Sequence, residues 1–394
     1  MQKAPRPQIY IYELPAEYRA CKIWSEHTEP GKGYEAFNYG TEKRLPEVLR
    51  NSSYWTSDPE EADLFYMDAW FYCLYAEQTL KLGKKTYDHH DITLAVLSYV
   101  RQQWPYWDRS GGVDHIWLYT YDHGFCGFSH AEGAVAEVAH SIILSHWGLE
   151  DPEDGCSLEE RVAEFGCPAR KAGTAGQPPC FVLGKDTVIA STAADASELP
   201  APAQMVPEKR LTKFFFAGDL RTDDLSYSHG VRQTVHALFV AQPGFKVVDT
   251  ATSGPVNDYA GQFGRSTFCL ASTGAGWGVR LKMSLTYGCI PVIVADRVQM
   301  PYEDVLPYKD FAVRVPQHAI YRLPDLLDSL LADPAKVRAM QARMACVSRF
   351  FTWRQDRGLA FEALLCSLRR KIVGQDQLLP KLDWASCELH CEPA

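Results

Sequence analysis

Three glycines at alternate positions, Gly274, Gly276 and Gly278, precede Arg280. Glycines let a backbone approach a ligand closely, and a guanidinium offers a planar fork of donors that suits phosphate. A run of helix formers follows, then Gly288 and the apolar run CIPVIVAD. This reads as a Gly-rich loop, a helix, a helix-ending glycine and a buried strand. A helix N-terminus would add unpaired N–H groups facing an anion. The chemistry such a stretch supports is the holding of an anion, most simply a diphosphate. A tight turn beside a packed helix fits the same residues, because neither G-x-G-x-x-G nor a P-loop is present.

Other residue types complete a possible transfer site. Ser272 ends the strand before the loop and can donate to a phosphate. Asp296 ends CIPVIVAD and can touch a donor sugar or ribose, or cap the next segment. Arg221 follows FAGDL at a strand end. Ligands of open α/β sheets bind beyond the carboxyl ends of strands, which favours a phosphate role for Arg221 over a solvated surface role. Transfer to a hydroxyl also needs a proton acceptor. Asp122 and His123, closing the strand DHIWLYTYDHG, are the first candidates, and Asp68, closing another apolar strand, is the next. Tyr119 and Tyr121 are placed to position an acceptor ring. His115, inside the strand, reads as a core histidine. No Asp-x-Asp pair occurs in the chain, so a metal-held diphosphate has no motif here. No Cys/His spacing reads as a zinc site.

Positioning these groups takes alternating strands and helices. Strands are expected near Gln8–Leu14, Asp114–Tyr121, Cys180–Leu183 and Thr187–Ala190, and Ala62–Tyr75 reads as a buried strand leading into a loop or helix. Helices are expected over Lys43–Arg50, Asp91–Trp104 and Ala131–Leu149, the last from the spacing of Val135, Val138, Ile142 and Leu149. Glu150–Pro179 reads as an insertion loop and Ser191–Pro207 as an Ala/Pro/Ser linker. A second alternating unit starts at Lys213 and ends in helices over Pro334–Phe350 and Leu359–Lys371. The expectation is α/β, with two doubly wound, Rossmann-like domains over residues 1–207 and 208–394 and terminal helices on the second. The first domain would carry the base candidates and the second the glycine loop; a family resemblance implies that these are the acceptor and the nucleotide-sugar donor sides.

Composition bounds the partners. A chain of 394 residues suits two domains, and a net charge of −9 argues against nucleic acid or an anionic membrane. Twelve cysteines without a C-x-x-C favour an oxidising lumen. Cys156, Cys167, Cys180, Cys387 and Cys391 lie where disulfides would restrain loops or the terminus, whereas Cys269 and Cys289, in apolar strands, read as buried thiols.

The chain resembles the exostosin family, glycosyltransferase family forty-seven. The signature is Arg280, a short helix, then Gly288-Cys289-Ile290-Pro291-Val292-Ile293 and Asp296. IYIYELP, EADLFYMDAW, GGVDHIWLYTYDHG, KDTVIAST, KRLTKFFFAGDLR, RSTFCLAST and MPYEDVLPYKDFAVRVP resemble the family in the same order, over about residues 8 to 370. The resemblance implies a GT-B fold and an inverting transfer, with no metal cofactor, from a UDP-sugar to a cell-wall polysaccharide or glycoprotein glycan. It also implies the Golgi lumen, an anchor absent from this chain, and a possible homo- or hetero-oligomer with another transferase. The family usually carries a carboxylate three residues after the arginine, and Met283 stands there. That departure motivates the alternative of a non-catalytic subunit that binds glycan or stabilises a partner transferase.

Without an Asp-x-Asp pair, transfer should persist in excess chelator. Sugar transfer measured before and after metal stripping checks this; strict dependence on added manganese would overturn it.

Overall fold

The computed structural model describes residues 7–20, 38–82, 89–127, 132–150, 181–193, 195, 210–224, 227–354, 356 and 358–374. Two parallel sheets carry the fold. The first contains β1 (Ile9–Ile11), β2 (Trp55–Thr56), β3 (Leu64–Tyr66), β4 (His115–Tyr119), β5 (Ile142–Ser145) and β6 (Thr187–Val188), ordered β2-β1-β3-β4-β5-β6. The second contains β7 (Thr212–Gly218), β8 (Phe245–Asp249), β9 (Ser266–Ser272), β10 (Ile290–Val294) and β11 (Val313–Arg314), ordered β11-β10-β9-β7-β8. Every pairing in both sheets is parallel. Parallel strands are covered on both faces and read as continuous apolar runs rather than alternating ones. HIWLY of β4 and IPVIV of β10 are buried at every position.

The helices of the first half are α1 (Thr41–Arg50), α2 (Phe71–Leu82), α3 (His89–Gln103), α4 (Tyr106–Ser110) and α5 (Glu132–Val138). The second half adds α6 (Val231–Phe239), α7 (Thr250–Ser253), α8 (Tyr259–Gly264), α9 (Arg280–Thr286), α10 (Leu323–Leu331), α11 (Pro334–Phe350) and α12 (Ala360–Gly374). Register levels the strand ends: Tyr119 pairs with Ser145, Gly218 with Asp249, and Ser272 with Val294. The segments that follow therefore emerge together at the carboxyl edge of each sheet.

The halves are joined through backbone. Leu149 bridges Val298 in antiparallel fashion, Gln299 N donates to Gly148 O at 2.8 Å, and Tyr302 N donates to Val188 O at 2.9 Å. Helix α12 returns to the first half, where Ser367 Oγ lies 2.9 Å from Thr187 Oγ1 and Arg369 Nη2 donates to Tyr54 Oη at 2.7 Å. One hydrophobic core runs through Leu45, Trp147, Val298, Phe351 and Leu364.

Three expectations are corrected. The helix over Ala131–Leu149 is α5 followed by β5. The spacing of Val138 and Ile142 fits a helix, but Ile142-Ile143-Leu144 is a contiguous apolar run whose every residue is buried. The described part of the strand over Cys180–Leu183 is loop and turn, in which Asp186 accepts from Val182 N. Cys269 and Cys289 are not thiols but a disulfide. Pairing of Ile290 with Phe268 and Pro291 with Cys269 sets Cys289 beside Cys269, with Cα atoms 5.8 Å apart, inside the disulfide range. Cys73, Cys346 and Cys366 are also disulfide-bonded. Cys156, Cys167, Cys180, Cys387, Cys391 and the insertion loop lie outside the described residues.

The Cys269–Cys289 bridge closes a sequence separation of 20 residues. Replacing both with Ala should lower stability by about 3 kcal/mol, the loop-closure value for that length. Urea unfolding under non-reducing conditions measures it; an unchanged midpoint would mean the bridge does not form.

Candidate active site

Beyond the end of β7, three guanidinium groups gather around two aromatic rings. Arg280 Nη2 donates to Ala217 O at 3.0 Å, and its guanidinium lies 5.2 Å from the Phe216 ring centre. Gly218 makes room for it: a Cβ there would sit 2.1 Å from Nη2. Arg232, on α6, is buried. It donates to Thr273 O through Nε and Nη2, to Asp219 O through Nη1, and to Tyr227 Oη at 2.8 Å. Its guanidinium lies 4.5 Å from the Tyr227 ring centre, and that of Arg221 lies 4.3 Å from the same ring. Arg221 is half-exposed with φ 47°, a backbone region few non-glycine residues adopt. Among the described residues no carboxylate pairs with Arg232 or Arg280, and Arg280 Nε is buried without a partner. Burial, then the neighbouring Arg280, pushes the Arg232 guanidinium down to about 10. Two positive charges held by carbonyls and aromatic faces, with donors to spare, suit a polyanion such as a diphosphate.

Ser272 ends β9 with its Oγ 3.4 Å from Arg232 Nε. The glycine loop then turns back on itself, with Gly274 N donating to Gly276 O at 2.9 Å. Helix α9 has only seven residues, so the charge of this site comes from arginines rather than from the helix terminus expected from the sequence.

The loop also touches the first half. Trp277 N donates to Asp122 O at 3.1 Å, and a Cβ on Gly276 would lie 1.6 Å from that same oxygen. The glycine loop and the first base candidate are thus in direct contact. The Asp122 carboxylate accepts from Tyr39 Oη at 2.5 Å, and Tyr39 stacks on Tyr72 with ring centres 3.7 Å apart. The half-buried rings of Tyr72, Tyr75, Tyr121 and His123 continue from there: Tyr72 to Tyr121 is 6.3 Å, Tyr75 to Tyr121 is 5.2 Å and Tyr121 to His123 is 5.9 Å. Tyr119, expected beside the acceptor, is instead fully buried against Phe71 and hydrogen-bonded to Thr93, because it lies within β4 where both faces are covered.

The other candidates have different neighbours. Asp68 is buried with its Oδ2 3.4 Å from Arg19 Nη1 and from Arg50 Nη2. Burial, opposed by Arg50 and Arg19, raises its carboxyl to about 6. Asp296 is exposed and both its oxygens accept from Gln317 N at 3.2 Å, which is the capping alternative. His115 is a core histidine, 2.9 Å from Tyr12 Oη and 2.6 Å from Asp114. Met283 packs against the cluster of Phe215, Phe263 and Cys289.

Sequence reasoning missed Arg232, Glu42, His146 and Lys282. A cation in the first turn of a helix opposes the helix dipole, and that signal could have singled out Arg232. Glu42 is fully buried and accepts from Tyr72 N at 2.7 Å, Cys73 N and Thr120 Oγ1, so it caps α2 and ties it to the end of β4. Burial raises its carboxyl to about 8. His146 follows β5, contacts Thr41 Oγ1 at 3.1 Å and packs edge-on to Trp277 at 4.6 Å. Burial and then Lys282 push His146 down to about 3, against a raising contribution from the Thr120 backbone. Lys282 is buried and ion-paired with Asp195.

The exostosin GT47 domain matches residues 3–330. The chain belongs to the exostosin GT47 family. It is a glycosyltransferase by that membership, and its two parallel, helix-covered sheets are the two Rossmann-like layers expected of GT-B. Among relatives of this GT47 chain, a probable glucuronosyltransferase of Oryza sativa subsp. japonica is 28% identical over 373 residues, covering 93% of this chain and 80% of the relative. A probable beta-1,4-xylosyltransferase of Arabidopsis thaliana is 27% identical over 386 residues, covering 93% of this chain and 82% of that one. Among solved structures, Anabaena HepE in complex with UDP and glucose aligns over 96% of this chain and 100% of its own, with a TM-score of 0.39 and 9% identity.

Gly276→Ala places a methyl group against Asp122 O and should part the loop from the first half. Displacements of about 1 Å near a reacting centre can cost 10²-fold, so turnover should fall at least about tenfold with a near-normal melting curve. Unchanged turnover would mean that the working enzyme does not keep this contact.

Proposed function

We propose that this GT47 enzyme moves a sugar from a UDP-sugar to a hydroxyl of a cell-wall polysaccharide or glycoprotein glycan, with inversion and without a metal ion. The observation that carries the reading is the Trp277–Asp122 contact, through which the backbone of the candidate base in the first half meets the arginine-backed glycine loop of the second. In this scheme the acceptor hydroxyl gives its proton to Asp122, with His123 the neighbouring alternative. The oxygen forms its bond to the anomeric carbon as the bond to the diphosphate breaks on the opposite side. The departing diphosphate takes the electron pair, and Arg232 and Arg280 stabilise its charge, with Ser272 as a donor. Tyr72, Tyr75 and Tyr121 offer ring faces to the acceptor's pyranoses.

Several observations support the finer points. Guanidinium groups supply the charge that a metal would otherwise supply, and the chain has no Asp-x-Asp pair. The relatives described as glucuronosyl- and xylosyltransferases motivate a hemicellulose-type acceptor. Disulfide-bonded cysteines on both halves favour the Golgi lumen. No described helix is long and apolar enough to cross a membrane. A non-catalytic subunit is the second reading, motivated by Met283, whose side chain packs in an apolar cluster where the family usually has a carboxylate.

Transfer is tested with UDP-xylose and UDP-glucuronate against xylan oligosaccharides. Arg280→Ala should abolish transfer while leaving folding intact. Asp122→Asn or His123→Ala should lower turnover by roughly 10²–10⁴-fold with UDP affinity nearly unchanged. Full turnover in all three variants would remove these residues from the mechanism, and failure of the parent protein to bind UDP would favour the non-catalytic reading.

A further inference from the structure

The chain has three asparagines, and one of them, Asn51, opens an N-x-S triplet with Ser52 and Ser53. Such a triplet is the acceptor pattern for an N-linked glycan when its middle residue is not proline. Chance also produces triplets of this kind, so the surroundings have to distinguish a modified side chain from an ordinary turn. Asn51 and Ser53 are both exposed. They lie in the turn between α1 and β2, with Asn51 as the residue that ends the helix.

The neighbours of Ser53 hold this turn. Ser52 Oγ donates to Leu49 O at 2.8 Å and accepts from Tyr54 N at 3.2 Å. The Tyr54 hydroxyl is held by Arg369 of α12, and the Ser53 carbonyl accepts from Gln8 Nε2 at 2.9 Å. Among the described residues nothing bonds the Ser53 hydroxyl. The fold therefore makes no use of the one atom that the triplet requires at its third position. Asn51 Nδ2 donates to Glu47 O at 2.8 Å. An amide nitrogen carries two protons, and this bond uses one. Glycosylation replaces one N–H and leaves one for Glu47 O.

Position along α1 separates the turn from the candidate active site. The helix has ten residues, about 15 Å of rise. Its first residues meet the site, where Thr41 Oγ1 lies 3.1 Å from His146 and Glu42 accepts from Tyr72 N at 2.7 Å. Asn51 stands beyond the other end, so a bulky, hydrated group there projects from the surface without reaching that site.

Resting on the lumenal reading above, we propose that Asn51 carries an N-linked oligosaccharide. A chain bound for the Golgi lumen passes through the compartment in which such glycans are added. The co-reactant is a lipid-diphosphate oligosaccharide. The Asn51 amide nitrogen bonds to the anomeric carbon of its reducing-end sugar as that carbon's bond to the diphosphate breaks. The diphosphate leaves with the electron pair, and the amide gives up one proton.

The test secretes the whole chain from a eukaryotic cell line behind a cleavable signal. Its peptides are weighed before and after treatment with peptide N-glycosidase, which converts a glycosylated asparagine to aspartate. That conversion is expected at Asn51. Ser53→Ala keeps Asn51 and its helix cap and should abolish the conversion, whereas Ser53→Thr should preserve it. Ser53→Ala should match the parent in sugar transfer and in melting temperature. Unmodified Asn51 in a secreted chain that has formed the Cys269–Cys289 bridge would overturn the inference and leave the lumenal reading standing. A glycan at Asn51 with both of those cysteines reduced would do the reverse. Lost transfer in Ser53→Ala with an unchanged melting curve would overturn the placement of the glycan away from the site.

Discussion

Two guanidinium groups, Arg232 and Arg280, are held near one another at the end of β7 without a described carboxylate to balance them. Burying like charges is expensive, and the surroundings are built to offset that cost. Carbonyl oxygens of Ala217, Asp219 and Thr273 accept their N–H groups, and Phe216 and Tyr227 present ring faces. Gly218 leaves the space that the Arg280 guanidinium occupies. In the proposed function an anion completes this site, and the positive charge is in place before that anion arrives. Such preorganisation suits stabilisation of a leaving diphosphate, because little reorganisation remains for the moment of bond breaking.

The second constraint is that the candidate site residues come from two halves of the chain. Their relation is fixed by more than a hinge. A backbone bridge from Leu149 to Val298, the return of α12, and the buried Lys282–Asp195 pair bind the halves to each other. Trp353 joins the same knot, donating its indole N–H to Ala190 O at 2.6 Å while its backbone N–H meets Asp195. Ser191, Ala193 and Asp195, at the start of the Ala/Pro/Ser stretch, are buried by this packing. The carboxyl edges of the two sheets consequently face each other closely enough for the glycine loop to hydrogen-bond Asp122. Glu42 does the corresponding work within the first half by capping α2, which carries Tyr72 against Tyr39 and so supports the hydrogen bond to Asp122.

Much of this was legible in the residues themselves. Continuous apolar runs such as FFFAG, STFCLAS and IPVIV announce strands covered on both faces, and the helices between them announce parallel pairing. Gly274 to Arg280 is informative locally, because glycine spacing and a guanidinium are chemical facts of the chain. The failures have a common cause. Ile142 read as helix because periodicity cannot distinguish a short buried strand from the continuation of a helix. Tyr119 read as an acceptor contact because alternation does not say which strand residues precede the sheet edge. Cys269 and Cys289 read as thiols because strand register, which brings them together, is a relation between strands.

Sequence alone determined the fold class and the family, since each depends on residue types in fixed local order. Tertiary structure decided the partners. It placed Arg232 beside Arg280 from a helix nearly fifty residues earlier in the chain. It brought Asp122 rather than Asp68 to the loop, and left Asp68 between Arg19 and Arg50. It also paired Lys282 with Asp195. These outcomes depend on which distant segments are packed together, and the physical reason is burial. A charge withdrawn from water must find a counter-charge or carbonyl oxygens, and only the folded chain fixes which ones lie within reach.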